Sequence, residues 1–148
     1  MEEVWFKDKG KVIYDPKRGD MKANTNWWCI IDVDNAIADY YRNLTNISVV
    51  NPFRQPKCDL NLPSWGAHVS VIRGEKPKKD YEHLWKKYHG LEVEFEYSNQ
   101  VRYSSVKKNH LTGGYWFVEV RCSLAKQIRD EFNIPSNWLF HITIGREY

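Results

Sequence analysis

The sequence predicts a single α+β domain of 148 residues. Strand-like and helix-like segments alternate along the chain without a long linker, which favours a mixed fold over a helix bundle or a β-sandwich. Hydrophobic residues make up 42% of the chain and charged residues 28%, a composition typical of ordered proteins. The length fits one domain, so we expect residues 1–148 to fold as one unit.

The first half of the chain predicts a strand, a helix, a long loop and a second strand. Trp27–Val33 is a nearly continuous apolar run, typical of a buried strand. Asp34 is a suitable N-cap for a helix through Leu44, because apolar and aromatic residues recur there at helical spacing. Asn51–Ser64 contains three prolines and predicts a loop long enough to act as a lid. Ala67–Ile72 predicts the second strand.

The second half predicts two helices and a hairpin of strands. Asp80 is a suitable cap for an amphipathic helix that Gly90 would end. Leu91–Tyr97 alternates apolar residues with glutamates, so this strand has one acidic, solvated face. A strand from Gln100 would turn through polar residues and return as Tyr115–Val120. The last predicted elements are a helix capped by Ser123 and a strand at Leu139–Ile144.

The net charge excludes a duplex-binding protein, and the composition is unusually rich in aromatic residues. The net charge of +3 is too small to be the footprint of a duplex-binding protein, but it suits a compact anionic substrate. Aromatic residues reach 15%, more flat amphipathic surface than a small core requires.

Cysteine usage and the N-terminus indicate a reduced compartment. Cys29, Cys58 and Cys122 are widely spaced and odd in number, which supports neither a disulfide framework nor a zinc site. The N-terminus has no signal-peptide pattern, and no apolar run is long enough to span a membrane. We therefore expect a cytoplasmic protein that needs no metal or other cofactor.

Two tetrapeptides, one in each half of the chain, share a pattern: His-Val-Ser-Val and His-Ile-Thr-Ile. Side chains alternate across a strand, so the histidine and the hydroxyl residue two positions later project from the same face. Each tetrapeptide therefore presents an imidazole beside a hydroxyl group. The four residues are His68, Ser70, His141 and Thr143.

The residues around the two tetrapeptides also match. Trp65 and Trp138 lie three residues before the histidines, and Arg73 and Arg146 lie five residues after them. The repeat spans about half the chain, which predicts two related halves that each contribute a strand to one cleft.

Two imidazoles and two hydroxyl groups are a suitable set for cleaving a phosphodiester. A neutral histidine can take the proton of the attacking oxygen, and a protonated one can donate to the leaving oxygen. The hydroxyl groups can donate to the non-bridging phosphate oxygens as charge develops there. This division of labour requires no metal ion.

The paired motifs resemble the signature of the two-histidine (2H) phosphoesterase superfamily. The resemblance implies a bilobal α+β fold, with two pseudo-symmetric antiparallel sheets around a central groove and helices on the outside. It assigns catalysis to His68, Ser70, His141 and Thr143. The first motif has serine where threonine is common in the family.

Within the superfamily, Trp65–Glu75 and the aromatic N-terminal portion are similar to small phage-encoded members called RNA repair-like, which include the anti-CBASS phosphodiesterases. Those enzymes destroy the cyclic oligonucleotide messengers of bacterial CBASS immunity. The resemblance implies a hydrolase for cyclic di- or trinucleotides with 3′,5′ linkages, acting in the host cytoplasm as an immune-evasion factor. Only seven residues follow His141, so we expect no contribution to nucleotide binding from a longer C-terminal tail.

A cyclic oligonucleotide exposes bases that can stack on aromatic rings, each worth about 1–3 kcal/mol. Tyr14 is the first candidate, because it lies in a turn-prone segment that we expect to be exposed. Trp28 and Trp116 are further candidates, although their positions in strands favour burial. Arg73 is a candidate phosphate ligand at the exit of its strand.

Two alternatives remain open. The same four residues could process RNA ends that carry 2′,3′-cyclic phosphates, or cleave 2′,5′ linkages. A non-catalytic module that binds single-stranded nucleic acid through aromatic and basic residues is the alternative of another class, but it leaves the paired motifs unexplained. We expect a monomer whose partner is the cyclic oligonucleotide, with no duplex nucleic acid and no membrane as partner.

Overall fold

The computed structural model is an α+β fold whose described residues form six strands and two α-helices. It describes residues 2–17, 26–45, 66–108, 111–135 and 139–146. The strands are β1 (Trp5–Tyr14), β2 (Trp28–Asp32), β3 (His68–Arg73), β4 (Glu92–Lys108), β5 (Leu111–Arg121) and β6 (His141–Arg146), and the helices are α1 (Asn35–Thr45) and α2 (Ser123–Glu131), with a 3₁₀ helix at Lys79–Leu84. The predicted loop Asn51–Ser64 lies outside the described residues, as do Cys58, Trp65 and Trp138.

The order of elements repeats along the chain. Strands β1 and β2, helix α1 and strand β3 follow one another in the first half, and β4, β5, α2 and β6 do so in the second. The strands are arranged β1-β2-β3-β6-β5-β4, so each half supplies three neighbouring strands. Strands β3 and β6, which carry the two histidine tetrapeptides, meet at the centre of this order.

All neighbouring strands are antiparallel, and two junctions join the halves. Strand β1 pairs with β4 from Trp5↔Ser98 to Lys11↔Glu92, and β3 pairs with β6 at Val69↔Ile142. These pairings connect the six strands into one closed sheet, whereas the family resemblance implied two separate sheets.

One face of the sheet is apolar and packs against both helices. Buried side chains from all six strands form one core cluster with Ile37 of α1 and Ile128 of α2. The main helix contacts cross between the halves, since α1 packs on β6 and α2 packs on β3. On the motif strands, Val69 and Ile142 are fully buried in this core. The residues on either side of them therefore project from the opposite face.

The opposite face of the sheet is polar. The glutamates of β4, predicted to form an acidic surface, lie across from lysines of β1. Lys9 Nζ is 3.5 Å from Glu92 Oε1, and Lys7 Nζ is 4.0 Å from Glu94 Oε1. The lysines offset much of the expected negative charge on this part of the sheet.

Strand β1 was not anticipated from the sequence. Its apolar alternation is interrupted by Asp8 and Gly10, and its pairing with β2 and β4 supplies the order that local propensity does not. The close approach of neighbouring strands requires glycine at position 10, because a Cβ there would lie 2.6 Å from the carbonyl oxygen of Asp32. Any larger residue at position 10 would displace β2.

The helix predicted between Asp80 and Gly90 is wrong in type and extent. The chain forms only a short 3₁₀ helix, preceded by Lys78 as its N-cap. Trp85 leaves helical geometry, and its ring packs 4.9 Å from the ring of Tyr14 and 5.6 Å from that of Phe132. Lys86 then adopts a left-handed φ of 71°. Tertiary packing of the indole thus ends the helix early.

The two other expected caps differ in outcome. Asp34 caps α1, since its carboxylate accepts a hydrogen bond of 2.9 Å from the Ala36 N–H. Ser123 is instead the first residue of α2, and its N-cap is Cys122, which makes no side-chain capping bond. In the second hairpin, β4 runs continuously to Lys108, and the expected break near residue 98 is a register irregularity between Tyr97 and Val101.

Candidate active site

The two histidine tetrapeptides lie side by side on the polar face of the sheet. Val69 and Ile142 are directly opposite each other on the antiparallel strands β3 and β6. The antiparallel register therefore extends to place His68 across from Thr143, and Ser70 across from His141.

The four side chains thus form a square in which the histidines occupy one diagonal and the hydroxyl residues the other. Its members are the four residues predicted from the sequence: His68, Ser70, His141 and Thr143. Diagonal neighbours in such a pair of strands are roughly 7–8 Å apart at the backbone. Long side chains reach each other across this distance, so a single phosphate can be contacted by both imidazoles.

Each imidazole is held by a hydrogen bond to the backbone carbonyl two residues before it. The Nδ1 atom of His68 lies 2.9 Å from the carbonyl oxygen of Gly66, and that of His141 lies 3.2 Å from the carbonyl oxygen of Leu139. A carbonyl oxygen can only accept, so each Nδ1 must carry the hydrogen. In the neutral ring, Nε2 is then the basic nitrogen, and in the charged ring Nε2 is a second donor. Each histidine is therefore held ready to exchange a proton through Nε2.

The environment of His141 favours its neutral form. Burial lowers the pKa of His141 below its ordinary value, and the hydrogen bond to Leu139 opposes this shift only in part. A histidine that stays neutral near neutral pH is suited to accept a proton.

Trp28 contacts both polar residues of the first histidine tetrapeptide. Its indole Nε1–H donates a hydrogen bond of 3.2 Å to the Ser70 Oγ, and its ring meets the imidazole of His68 edge-on with 5.6 Å between centroids. Because Ser70 Oγ accepts from the indole, its own hydrogen is directed to another acceptor. The Arg73 guanidinium lies over the same indole at 5.4 Å. Trp28 therefore contacts three residues of the candidate site.

We expect Trp28→Phe to lower kcat about 2- to 10-fold, because the ring is kept but the hydrogen bond that orients Ser70 is lost. Steady-state kinetics, corrected for the folded fraction, measure this effect. Trp116→Phe is the matched control, since the Trp116 Nε1 is buried without a hydrogen-bond partner. Equal loss of kcat in both variants would show that Trp28 acts only through packing.

Aromatic rings also surround the second histidine. The ring of Tyr115 stacks on His141 with a centroid distance of 5.7 Å, and that of Phe117 lies 5.2 Å away. Both residues are half-buried on β5. They place aromatic rings beside the imidazole of His141, as the indole of Trp28 lies beside the imidazole of His68.

Each histidine has an acidic residue opposite it on the outer neighbouring strand. Asp32 of β2 lies across from His68, and Glu119 of β5 lies across from His141. The Arg102 guanidinium Nε is 2.9 Å from Glu119 Oε1. This ion pair holds the Glu119 carboxylate beside the candidate site.

The four predicted substrate-binding residues have different positions. Tyr14 was expected to be exposed, but it is only 2% exposed at the end of β1, where the ring of Trp85 covers it. Trp28 is 0% exposed, so it supports the site and offers no free face to a base. Trp116 packs against the core and Tyr103, apart from the two histidines. Only Arg73 is exposed, beside the square of polar residues.

Three site residues on β5 were missed, although a sequence signal existed for each. Tyr115, Phe117 and Glu119 alternate along the predicted return strand of the hairpin, so their side chains share one face. Their approach to His141 depends on the pairing of β5 with β6. Single-sequence periodicity gives that shared face but not the partner strand.

Comparison with family models, with curated proteins and with solved structures gives no match for this chain. Within the described ranges, no group of three or more histidine, cysteine or acidic side chains is placed to hold a metal ion. No helix in the described part of the chain is long and apolar enough to cross a membrane. Cys29 and Cys122 are free and buried.

Proposed function

We propose that the protein is a metal-independent phosphodiesterase of the two-histidine type that cleaves 3′,5′ linkages in cyclic di- and trinucleotides. The observation that carries the proposal is the square of two imidazoles and two hydroxyl groups on adjacent antiparallel strands, with both Nδ1 atoms bound to backbone carbonyls. The matching order of elements in the two halves is consistent with two related halves that each supply one histidine tetrapeptide.

The reaction begins with the ribose 2′-hydroxyl next to the scissile phosphate. One histidine Nε2 takes the hydroxyl proton while the 2′-oxygen forms a bond to phosphorus. The bond from phosphorus to the 5′-oxygen breaks, and the second histidine Nε2–H donates its proton to that leaving oxygen. The products of this step are a 5′-hydroxyl and a 2′,3′-cyclic phosphate. Ser70 and Thr143 donate to the non-bridging oxygens as negative charge builds up on them.

We assign the base to His141 and the acid to His68. Both histidines are held with Nε2 as the basic nitrogen, and burial favours the neutral form of His141, which supports this residue as the base. His68 contacts the Trp28 indole edge-on and is the other histidine of the pair, so it takes the role of the acid.

The acid limb of the kcat/KM profile should have its midpoint below about 6.5, the ordinary pKa of histidine. Raising the pH through the lowered pKa of His141 converts this residue to its basic form, so activity rises with pH across this limb. A pH series of initial rates measures the midpoint, with the exposed His83→Asn as the control that should leave it unchanged. An acid limb centred above pH 7 would contradict the assignment of His141 as the base.

The charge of the site suits a compact anion. Lysines on β1 lie close to the glutamates of β4, and Arg73 is exposed next to the square of polar residues. One guanidinium near the scissile phosphate gives charge-assisted contacts without an extended basic surface.

We further propose that the protein acts in the cytoplasm of a bacterial host, where removing cyclic messengers would block CBASS immunity.

Competition between two substrates tests the substrate class. The protein is incubated with equal concentrations of a cyclic trinucleotide and an RNA oligomer that ends in a 2′,3′-cyclic phosphate, and the products are separated by chromatography. We expect the cyclic trinucleotide to be consumed first. Preferential opening of the RNA end would replace the proposal with RNA-end processing, and tight binding of plain oligonucleotides without cleavage would favour a binding module.

A further inference from the structure

The two strands that carry the histidine tetrapeptides contain the same irregularity at the same position. On β3, Ser70 pairs with Ile30 and Ile72 pairs with Cys29, so Val71 is an extra residue. On β6, Thr143 pairs with Phe117 and Gly145 pairs with Trp116, which makes Ile144 the extra residue. Each β-bulge lies directly after the hydroxyl residue of its tetrapeptide.

The bulges change which face the following residues occupy. In both strands, the burial pattern alternates through the tetrapeptide, then shows two consecutive buried residues, and then an accessible arginine. Without the bulge, strict alternation would place Arg73 and Arg146 on the apolar face, because each lies five residues after its histidine. The bulges therefore turn both arginines onto the face that carries the histidines.

Contacts on each side agree with this placement. Arg73 lies over the indole of Trp28, which also contacts Ser70 and His68. Arg146 pairs across the sheet with Tyr115, and the ring of Tyr115 stacks on His141. Two guanidinium groups are thus directed to the same face as the four polar residues.

Each bulge is held by a buried arginine from the helix of the other half. Arg129 of α2 is 1% exposed, and its Nη1 donates a hydrogen bond of 2.8 Å to the carbonyl oxygen of Val71. Arg42 of α1 is 9% exposed, and its Nη1 donates one of 3.3 Å to the carbonyl oxygen of Ile144. A bulge withdraws backbone groups from the regular ladder, so these donors satisfy carbonyls that would otherwise be buried without partners.

Both buried charges are compensated. Glu75 binds Arg129 through two hydrogen bonds of 2.8 Å, one from each terminal nitrogen. Asp39 accepts a hydrogen bond of 2.6 Å from Arg42. The pair of Arg129 with Glu75 is mostly buried. Burying an ion pair is costly and often gives no net stability, so a specific geometric role explains this pair better than stability does.

We propose that Arg73 and Arg146 form a paired binding site for phosphate groups, and that Arg129 and Arg42 are positioning residues that hold the bulges directing them into it. Arg129 acts through Arg73, and Arg42 acts through Arg146. The ligand is a nucleotide that presents one phosphate group to Arg73 and another to Arg146, at opposite ends of the histidine pair. This inference deepens the proposed function and rests on it for the identity of the natural ligand.

Double-mutant cycles on phosphate binding test the inference without requiring cleavage. A 5′-phosphorylated deoxyribotrinucleotide, which has three phosphate groups and no 2′-hydroxyl to attack phosphorus, is titrated into the wild-type protein and its variants, and the dissociation constant is followed by ³¹P NMR. We expect Arg73→Met and Arg146→Met each to weaken binding about tenfold, the value of one charge-assisted hydrogen bond. Arg129→Met should weaken binding to a similar extent, and adding it to Arg73→Met should weaken binding no further.

A second set of double variants tests whether each positioning residue acts only through the arginine on the strand whose bulge it holds. Arg129→Met combined with Arg146→Met should show additive losses, whereas Arg42→Gln combined with Arg146→Met should show none beyond the single variant. Arg129→Lys should retain part of the affinity, since an ammonium group can still donate to the Val71 carbonyl. Val93→Ala, a truncation of a buried residue on β4, is the control for lost stability and should leave phosphate binding unchanged.

Additive losses for the Arg129 and Arg73 pair would overturn the positioning role, and a wild-type protein that does not bind the trinucleotide would overturn the paired site. Arg42→Gln and Arg129→Lys keep the test decisive if Arg129→Met does not fold. Crossed coupling in a protein that cleaves no nucleotide would leave this inference standing while the proposed phosphodiesterase activity fails.

Discussion

His68→Ala and His141→Ala should each lower kcat by about 10²–10⁴-fold, the usual contribution of a positioned general acid or base. Each replacement removes one of the two proton transfers, and no other described histidine lies in the square of polar residues. Steady-state rates with a cyclic oligonucleotide in the presence of EDTA measure the loss. His83→Ala is the matched control, because this histidine is exposed on the 3₁₀ helix and should keep full activity.

The two histidine substitutions should also be strongly non-additive. Base and acid act in one concerted step, so the double variant is expected to lose little more than the single variants. Substrate binding should remain largely intact in all three proteins. Full turnover by either single variant would exclude the two-histidine mechanism.

Ser70→Ala together with Thr143→Val should lower kcat about 10²–10³-fold, as removal of a donor to a developing oxyanion does elsewhere. The loss should appear in kcat more than in KM, because the non-bridging oxygens accept stronger hydrogen bonds in the transition state than in the bound substrate. Initial rates over a range of substrate concentration separate the two parameters.

Variants that keep the hydroxyl group are the controls for this effect. Ser70→Thr and Thr143→Ser preserve the donor at each position and should retain most of the activity. Thr143→Val is close in shape to threonine, so its loss reports the hydroxyl group and not a cavity. Unchanged kcat in the Ser70→Ala and Thr143→Val double variant would remove the hydroxyl groups from the mechanism.

The centre of the candidate site was predictable from the sequence because it depends only on the period of a strand. His68 and Ser70 must share a face if residues 68–71 are extended, and the second tetrapeptide repeats this pattern. The half-chain repeat indicated that the two strands would belong to related halves. The structure brings them together through the pairing of Val69 with Ile142.

The surroundings of the site were less predictable because they depend on tertiary pairing. The burial of Tyr14 follows from its position opposite Cys29 on β2 and from the ring of Trp85, which lies far away in sequence. The contact of Trp28 with Ser70 requires the register between β2 and β3. Composition and periodicity specify neither of these relations.

Because of the bulges, simple alternation assigns the residues that follow them to the wrong face of the sheet. Strict period-2 reasoning assigns Arg73 to the apolar face, yet it is exposed beside Trp28. The cause is the extra residue Val71, whose carbonyl is bound by Arg129 from a helix in the other half of the chain. A contact between residues this distant cannot be inferred from local sequence.

Cleavage of cyclic oligonucleotides in excess EDTA tests the central claim most directly. The wild-type protein and the His68→Ala variant are incubated with a panel of cyclic di- and trinucleotides, and the products are separated and identified by mass. We predict that the wild-type protein opens at least one member of the panel to a linear product and that the variant leaves it intact. Resistance of every cyclic substrate to the wild-type protein, or equal cleavage by the variant, would contradict the account.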